Sequence, residues 1–506
     1  MNEPFRVVVL GAGPAGRIAA HRAAARGWDV VALDPAGGSM PTTVGAWAHQ
    51  LPDWLPDDAV ASRFRPTVIT SGGRRRLLDD DYVVLDTAVL SGLGGFAVRE
   101  EPGNGGSTWR FTWTGDDEEG AGDGHAAGGA VARFARIGER VTSALVRARE
   151  LLRPDPAEGP GATVHHEYYD ADDDDVPADF VDPNGPDGDF DEWTAPDVVI
   201  DAIGATPFSA VLDARQIARG HVFREEDIPE RHRVPVLMDF RVPGGAGDEM
   251  ADELADDAST GAPATFSYRL PLGDGTWLIE ETILAARASS DPGDPRSAEL
   301  HRHVRRRQAA RVADLGIDPA AAIAVEIVDF PLGPWRLPDN RPRVALANRL
   351  TFIPLGRGGS VLDLSFLTRP FGGDGVPGYG HFGAMGGWMH PATGYSVGAV
   401  LSDVDRFLDR VGSRSDASPP GGRPLAWLRR RGLHVLLAFD DVRTRQFFDA
   451  FFTLPDAAIR EYLTGTSAPR TLAVMARLLI PLARRSPAML AKLLLTFADG
   501  KPVAEP

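Results

Sequence analysis

The chain has 506 residues, of which 71 are acidic and 53 basic, giving a formal net charge of −18. That balance argues against a nucleic-acid groove, and the absence of cysteine excludes disulfides, thiolate catalysis and Cys-ligated zinc or iron–sulfur centres. Apolar residues make up 43% and charged residues 25%, so a sizeable core can form, wholesale disorder is excluded and two or three domains are expected.

The first residues lead straight into a strand-like run, without a basic segment followed by a long apolar one, so no signal peptide is expected. No window approaches the ~18 uncharged apolar residues of a membrane-spanning helix, and a cytoplasmic protein is the default expectation.

Residues 6–34 are the most informative stretch. Arg6 to Leu10 is a short β-branched run, as a buried parallel strand requires. Gly11, Ala12, Gly13, Pro14, Ala15 and Gly16 follow, then an Ala-rich helical segment from Arg17 to Arg26. Trp28 to Leu33 resumes a strand and ends on Asp34 and Pro35. Strand, Gly-x-Gly-x-x-Gly, helix, strand and acid in this order predict a dinucleotide-binding fold. Gly11 permits the tight turn, Gly13 lets backbone approach a pyrophosphate, and Gly16 permits close helix–strand packing. Free N–H groups at the helix N-terminus face the phosphates, and Asp34 can accept ribose hydroxyls.

An amphipathic helix is expected over 133–152. The acidic run from Asp172 to Asp175 reads as a solvated loop rather than a metal site, because no Gly-spaced ligand pattern accompanies it. Val198 to Gly204 returns to a buried strand and a glycine turn. Val234 to Val242, Thr265 to Leu270 and Thr276 to Leu284 read as antiparallel strands, the last pair joined by the turn 273–275. A glycine-rich turn and helix occupy 378–408. From about 424 the pattern is helical and rich in Arg. The stretch 470–497 mixes Leu, Met and Ile with Arg477, Arg484, Arg485 and Lys492, so it either packs on the body or lies on an anionic membrane surface.

Glu280 and Glu281 stand side by side in an otherwise apolar strand, and must therefore face opposite sides of the sheet. A carboxyl in an apolar wall has its pKa raised and can act as a general acid near neutrality; a pair of ordinary strand charges is the plainer alternative.

These segments together resemble the flavin-dependent lycopene cyclases of the plant and cyanobacterial type, within the flavin hydroxylase-like FAD-binding superfamily. Leu278 to Thr282 is similar to the family's apolar-Leu-Glu-Glu-Thr motif, and Met238, Asp239, Phe240 and Arg241 to its Met-Asp-Trp-Arg. Residues 387–395 resemble Gly-Met-Val-His-Pro-x-Thr-Gly-Tyr, and 447–452 resemble Phe-Phe-Asp-x-Phe-Phe. The family's Tyr-Gly-Val-Trp followed by Asp-Glu is here Val44-Gly45-Ala46-Trp47 with His49-Gln50.

The resemblance implies an α/β fold: a Rossmann-like FAD domain with an inserted β-sheet substrate domain and a C-terminal helical region. The corresponding plan is 1–100 for the first part of the FAD domain and 101–195 for a mixed segment with the acidic insertion. The FAD domain returns at 196–220, the substrate domain takes 221–340, the last FAD-domain part 341–412 and the helical region 413–506. FAD is implied to lie along Gly11–Gly16, Asp34, Pro35, Gly204, Ala384, Pro391, Thr393, Gly394, Tyr395 and Ser396. NAD(P)H is implied as the reductant of the flavin.

The implied reaction is redox-neutral: an acid protonates a terminal C=C of an apolar polyene, a neighbouring double bond closes a six-membered ring, and a base removes a proton. Glu280 is the first candidate acid and Glu281 the second. Asp239 and Arg241 would orient or neutralise it, and His390 would handle protons. The polyene is lycopene, a related carotenoid, or a polyene polyketide or terpenoid. The alternatives are an FAD-dependent monooxygenase of the same fold and a flavoprotein that only carries a lipid.

Overall fold

The structure, a computed structural model, describes residues 5–34, 40, 42–100, 197–202, 204, 214–244, 262–288, 294–332, 352–355, 360–363, 378–415 and 417–499. Pro35, the helix expected over 133–152 and the acidic run 172–175 lie outside the described residues.

The strands in chain order are β1 (Arg6–Leu10), β2 (Asp29–Asp34), β3 (Val44–Trp47), β4 (Val60–Phe64), β5 (Thr67–Ile69), β6 (Arg75–Leu77), β7 (Tyr82–Leu85), β8 (Ala97–Glu100), β9 (Val198–Asp201), β10 (Ala214–Arg224), β11 (Val236–Asp239), β12 (Thr265–Pro271), β13 (Thr276–Arg287), β14 (Ala324–Pro331), β15 (Phe352–Leu355), β16 (Ser360–Asp363) and β17 (Gly378–His381). The α-helices are α1 (Pro14–Ala24), α2 (Thr87–Gly92), α3 (Pro295–Asp314), α4 (Val397–Gly412), α5 (Gly422–Leu437), α6 (Asp441–Phe451), α7 (Asp456–Thr464), α8 (Ala468–Arg485) and α9 (Pro487–Asp499).

The chain divides into two compact units. One comprises Met1–Trp109, Asp197–Arg349 and Ser365–Pro506; the other comprises Arg110–Pro196 and Leu350–Leu364. In the second unit the described residues form an antiparallel pair, β15 with β16. All the other elements belong to the first unit.

A five-stranded parallel sheet has the order β17-β9-β1-β2-β8. Its central strand is buried from Val7 to Leu10, which explains the unbroken β-branched run. Gly13 precedes α1 without any side-chain cap, and Pro14 opens the helix, where its missing N–H costs nothing. Gly11 has φ +86, and a Cβ on Gly16 would sit 1.8 Å from the Gly11 carbonyl oxygen. Both glycines are therefore demanded by the turn itself. By contrast, nothing lies within 4 Å of a Cβ built on Gly13.

The second sheet has seven strands in the order β14-β10-β13-β12-β11-β5-β6. It differs from the sequence plan at two points. β10 runs unbroken through the expected boundary at 220/221, and β5 and β6 come from the first hundred residues. Their three-residue length is too short to show a period of two in the sequence. Strand β11 is also shorter than the run 234–242 suggests. A third sheet, β3-β7-β4, is antiparallel.

One face of the seven-stranded sheet, with Phe266, Tyr268, Leu270, Leu278 and Leu284, shares an apolar core with α5 to α9 through Leu433, Leu436, Phe448 and Leu482. The other face is covered by α3. The Gly16→Ala protein is expected to lose about 1–3 kcal/mol in denaturant unfolding, the usual cost of overpacking, while Gly13→Ala unfolds like wild type.

Candidate active site

The register of the seven-stranded sheet decides which way each candidate points. Residues directly opposite on neighbouring strands share a face. Glu281 lies opposite Ser267 on β12, and Ser267 lies opposite Asp239 on β11. This row faces α3. Glu280 lies opposite Tyr268 on β12 and Gly220 on β10, and this row faces the large apolar core.

Glu281 is fully buried and fully engaged. Its Oε2 accepts a hydrogen bond from Arg311 Nε at 3.1 Å, and its Oε1 accepts one from Thr265 Oγ1 at 2.6 Å. Asp239 is equally buried and accepts from Arg241 Nε at 2.9 Å and Nη2 at 2.5 Å, with Arg269 at 3.5 Å and Arg311 at 3.8 Å. Burial alone would raise the Asp239 pKa, but the Arg241 hydrogen bonds and the charge of Arg311 hold it below the usual carboxylate value. Burial lowers Arg269 to about 10. These residues form one ionic network under α3. Asp239 and Arg241 thus serve the Glu281 side of the sheet and make no hydrogen bond to Glu280, the residue they were expected to orient.

Glu280 has a different environment. It is 7% exposed, and Thr282 Oγ1 donates to its Oε1 at 2.8 Å. Burial, followed by the negative charge of Glu326, pushes its pKa up to about 8. Tyr82 and Tyr268 lie within its electrostatic reach, and burial raises both phenols, with Tyr395, well above their ordinary value.

Two cavities lie beside this core, and Glu280 is among the lining residues of neither; Tyr82 and Tyr395 line the larger. The larger, about 290 Å³, is bounded by Gly45, Ala46, Trp47 and Gln50, by Tyr82, by the turn carrying His390, Pro391, Tyr395 and Ser396, and by Arg429 of α5. The smaller, about 20 Å³, is almost wholly apolar, lined by Trp47, Leu237, Met238, Leu284 and the α6 side chains Phe447, Phe448 and Phe451, with Phe452. Phe240 stacks on Phe448 with centroids 4.6 Å apart, so the expected 238–241 and 447–452 motifs meet in this wall. Trp388 lines the larger cavity, and its Nε1 donates to Asp403 at 2.7 Å. His390 is 2% exposed, and burial together with the charge of Arg429 drives its pKa well below 6.5, so it is neutral at neutral pH.

The glycine-rich turns gather at the carboxyl ends of the parallel strands. A Cβ on Gly16 would come 3.3 Å from Ala202, just beyond β9, and a Cβ on Gly383 would come 2.6 Å from Ala15. Gly204, Gly383 and Gly394 all have positive φ. Ala384 opens the short turn 384–388, and Pro391, Thr393, Gly394, Tyr395 and Ser396 lead into α4. Asp34 Oδ2 accepts from the Ala12 backbone N–H at 2.6 Å, which ties the acid at the end of β2 to the first turn.

Sequence reasoning missed Arg311, Thr265, Tyr82, Tyr268, Thr43 and Glu326. Arg311 is one of many Arg in α3, but it falls on the same helical face as Leu300, Val304 and Arg307, and that spacing was the available signal.

The chain belongs to the lycopene cyclase family, a family of cyclase enzymes. The family described as "Lycopene cyclase protein" matches residues 189–333 and 372–488. An uncharacterized carotenoid cyclase of Deinococcus radiodurans is 27% identical over 94% of this chain and 92% of its own length. A lycopene beta cyclase of Synechococcus elongatus is 25% identical over 52% of this chain and 56% of its own length. Among solved structures, the p-nitrophenol 4-monooxygenase of Pseudomonas putida aligns over 100% of this chain and 100% of its own at 12% identity and TM-score 0.35.

Two outcomes check the assignment of the faces. Glu281→Gln leaves the buried Arg311 charge poorly paired and is expected to destabilise the fold by about 3–5 kcal/mol in denaturant unfolding. Glu280 has the opposite sign. In the folded protein it ionises near 8 rather than at its ordinary 4.5, so the folded state holds an extra proton between those values and loses stability as pH rises through that window. Thermal unfolding from pH 4 to 9 is therefore expected to show Glu280→Gln gaining on wild type between about pH 4.5 and 8, with no further gain above.

Proposed function

We propose that the protein is a flavin-dependent, redox-neutral cyclase that protonates an apolar polyene, and that Glu280 is the acid. The observation that carries this reading is the contrast between twin carboxyls on one strand. Glu281 is committed to Arg311 and Thr265, whereas Glu280 sits in the apolar face with a pKa near 8 and so still holds its proton at neutral pH.

The residues present fit FAD. The uncapped N-terminus of α1, the open space above Gly13 and the close packing at Gly16 make a cradle that backbone N–H groups can offer to a pyrophosphate. Gly11 to Gly16, with Asp34, would hold the dinucleotide, and the turns at Gly204 and 384–396 would hold the remainder. Bound reduced flavin would supply negative charge that favours a nearby carbocation, with NAD(P)H needed only to reduce it.

Glu280 transfers its proton to one carbon of a terminal C=C, whose π pair forms the new C–H bond and leaves the neighbouring carbon cationic. A second double bond of the same polyene donates its pair to that carbon and closes a six-membered ring. Loss of a proton from the adjacent carbon restores a double bond, so the product is an isomer of the substrate. Thr282 holds the Glu280 carboxyl oriented. The aromatic wall of Phe240, Phe447, Phe448, Phe451 and Phe452 excludes water and offers ring faces to the cation. His390 is neutral, its Nδ1 accepts from the Ala392 backbone N–H at 3.3 Å, and its lowered pKa makes it a weak base, so any part in proton handling is through its remaining N–H. The substrate class is a long hydrocarbon-like polyene such as lycopene or a related carotenoid.

Such a substrate is found in membranes. Among the described residues no helix is long and apolar enough to cross one. Instead α8 and α9 expose Leu472, Ile480, Leu494 and Leu495 beside Arg477 and Arg484, a combination suited to an anionic lipid surface.

With lycopene as the polyene and dithionite-reduced, FAD-loaded protein, turnover is expected without oxygen. Glu280→Gln is expected to lower the rate at least 100-fold, the scale of a lost general acid. The wild-type rate is expected to fall as pH rises through about 8. Oxygen consumed in step with product would overturn the cyclase reading, and full activity of Glu280→Gln would overturn the acid. In vesicle flotation, Leu472→Glu with Leu495→Glu is expected to abolish binding to vesicles rich in anionic lipid.

A further inference from the structure

The row that carries Glu280 continues one strand beyond Gly220. On β14, the strand on the far side of β10, Glu326 lies directly opposite Gly220. Tyr268, Glu280, Gly220 and Glu326 therefore form one straight line across four strands and share the face turned to the apolar core. The β13 and β14 backbones are two strand spacings apart, roughly 10 Å. Gly220 is the residue between them in the row. A Cβ at position 220 would come 2.5 Å from Leu278 Cδ1 and 3.3 Å from Glu280 Cβ. The absence of a side chain at 220 lets Leu278 and Glu280 pack down over β10, with Glu326 next in the same row.

Glu326 is held from its other side. The Thr43 backbone N–H donates to its Oε1 and the Thr43 hydroxyl to its Oε2, both at 2.8 Å. Both hydrogen bonds favour the ionised form, but burial outweighs them and leaves the Glu326 pKa above its ordinary value. Thr43 directly precedes β3, whose Gly45, Ala46 and Trp47 wall the larger cavity.

The groups that face Glu280 are few. Tyr268 comes from β12, Tyr82 from β7, and Glu326 from β14 across Gly220 of β10. Thr282 of its own strand donates to it. Helix α5 meets this core through Leu433 and Leu436, while its Arg429 acts on His390 and Tyr462. On the opposite face, Arg311 of α3 is taken up by Glu281 and Asp239. The charges that act on Glu280 are those of carboxyls, Glu326 before Glu281, and both favour the protonated form.

We infer that Glu326 is the positioning residue of the acid: its carboxylate, fixed by Thr43 and set in one row with Glu280 across Gly220, adds to burial in keeping the proton on Glu280. The two carboxyls then titrate as a pair, the ionisation of one opposing that of the other. As a role in catalysis this rests on the cyclase reading, but the protonation itself can be measured without any substrate.

The test is an infrared titration of the full-length protein, following the carbonyl stretch of buried protonated carboxyls, with Glu280→Gln used to assign the Glu280 band. In Glu326→Gln the Glu280 band is expected to disappear at a pH lower by about one unit, the size of a typical like-charge effect. Thr43→Val, which removes one hydrogen bond to the Glu326 carboxylate and shifts the pair's proton toward Glu326, is expected to move it in the same direction, and it serves if Glu326→Gln does not fold. Glu326→Asp is expected to restore most of the wild-type midpoint. A purely structural Glu326 would leave the midpoint where it is in all three proteins, and that result would overturn the inference. If the midpoint moves but no polyene is cyclised by any of the proteins, the positioning of the Glu280 proton stands and the cyclase reading fails. If turnover is present, the basic limb of its pH profile is expected to shift with the band.

Discussion

Two neighbouring carboxyls on one strand cannot share a face of a sheet, and the chemistry proposed for this protein depends on that constraint. On β13 the odd position, Glu281, meets Arg311 and is tied into a buried network that includes Asp239, Arg241 and Arg269. The even position, Glu280, meets phenols, leucines and another carboxyl. The network on the first face makes the strand rigid in register, because a slip of one residue would carry Glu280 to the arginines and Glu281 into the apolar core. The same lock that makes Glu281 unavailable for proton transfer therefore keeps Glu280 in the environment that holds its proton.

The scaffold around this strand divides the work between two sheets. The parallel sheet brings its glycine turns together at the carboxyl ends of its strands, where Gly16 and Gly383 allow close packing and the space over Gly13 stays open. The seven-stranded sheet supplies a flat wall, and helices α5 to α9 close over it with a core of phenylalanines. The polyene proposed as substrate has no polar groups by which to be recognised, so on that reading shape and exclusion of water provide the binding. An aromatic lining serves both needs and also tolerates positive charge.

Much of this was legible in the sequence. The segment from Arg6 to Asp34 combines a β-branched run, three spaced glycines, an alanine-rich helix and a terminal acid, each with a local physical reason, and the structure has those elements within three residues of the expected bounds. The Glu280–Glu281 pair was visible because charge is conspicuous in an apolar strand, and its two-sidedness followed from geometry alone. Which of the two faces the apolar core could not be read there, since it depends on an arginine thirty residues away on α3. Asp239 was expected to orient or neutralise the acid, but its partners Arg269 and Arg311 are non-local and lie on the face opposite Glu280. Glu326 looks like any strand carboxylate until β14 is known to pair with β10 opposite a glycine. Strands β5 and β6 were too short to carry a period.

The most direct test of the central claim is the fate of a solvent deuteron. FAD-loaded, reduced protein is incubated with lycopene in deuterium oxide without oxygen, and the product is weighed by mass spectrometry. If a carboxyl protonates carbon and no net electron flow occurs, the cyclised product carries one deuterium for each ring closed and is otherwise isomeric with the substrate. A product that gains an oxygen atom, or a ring-closed product without deuterium, would contradict it.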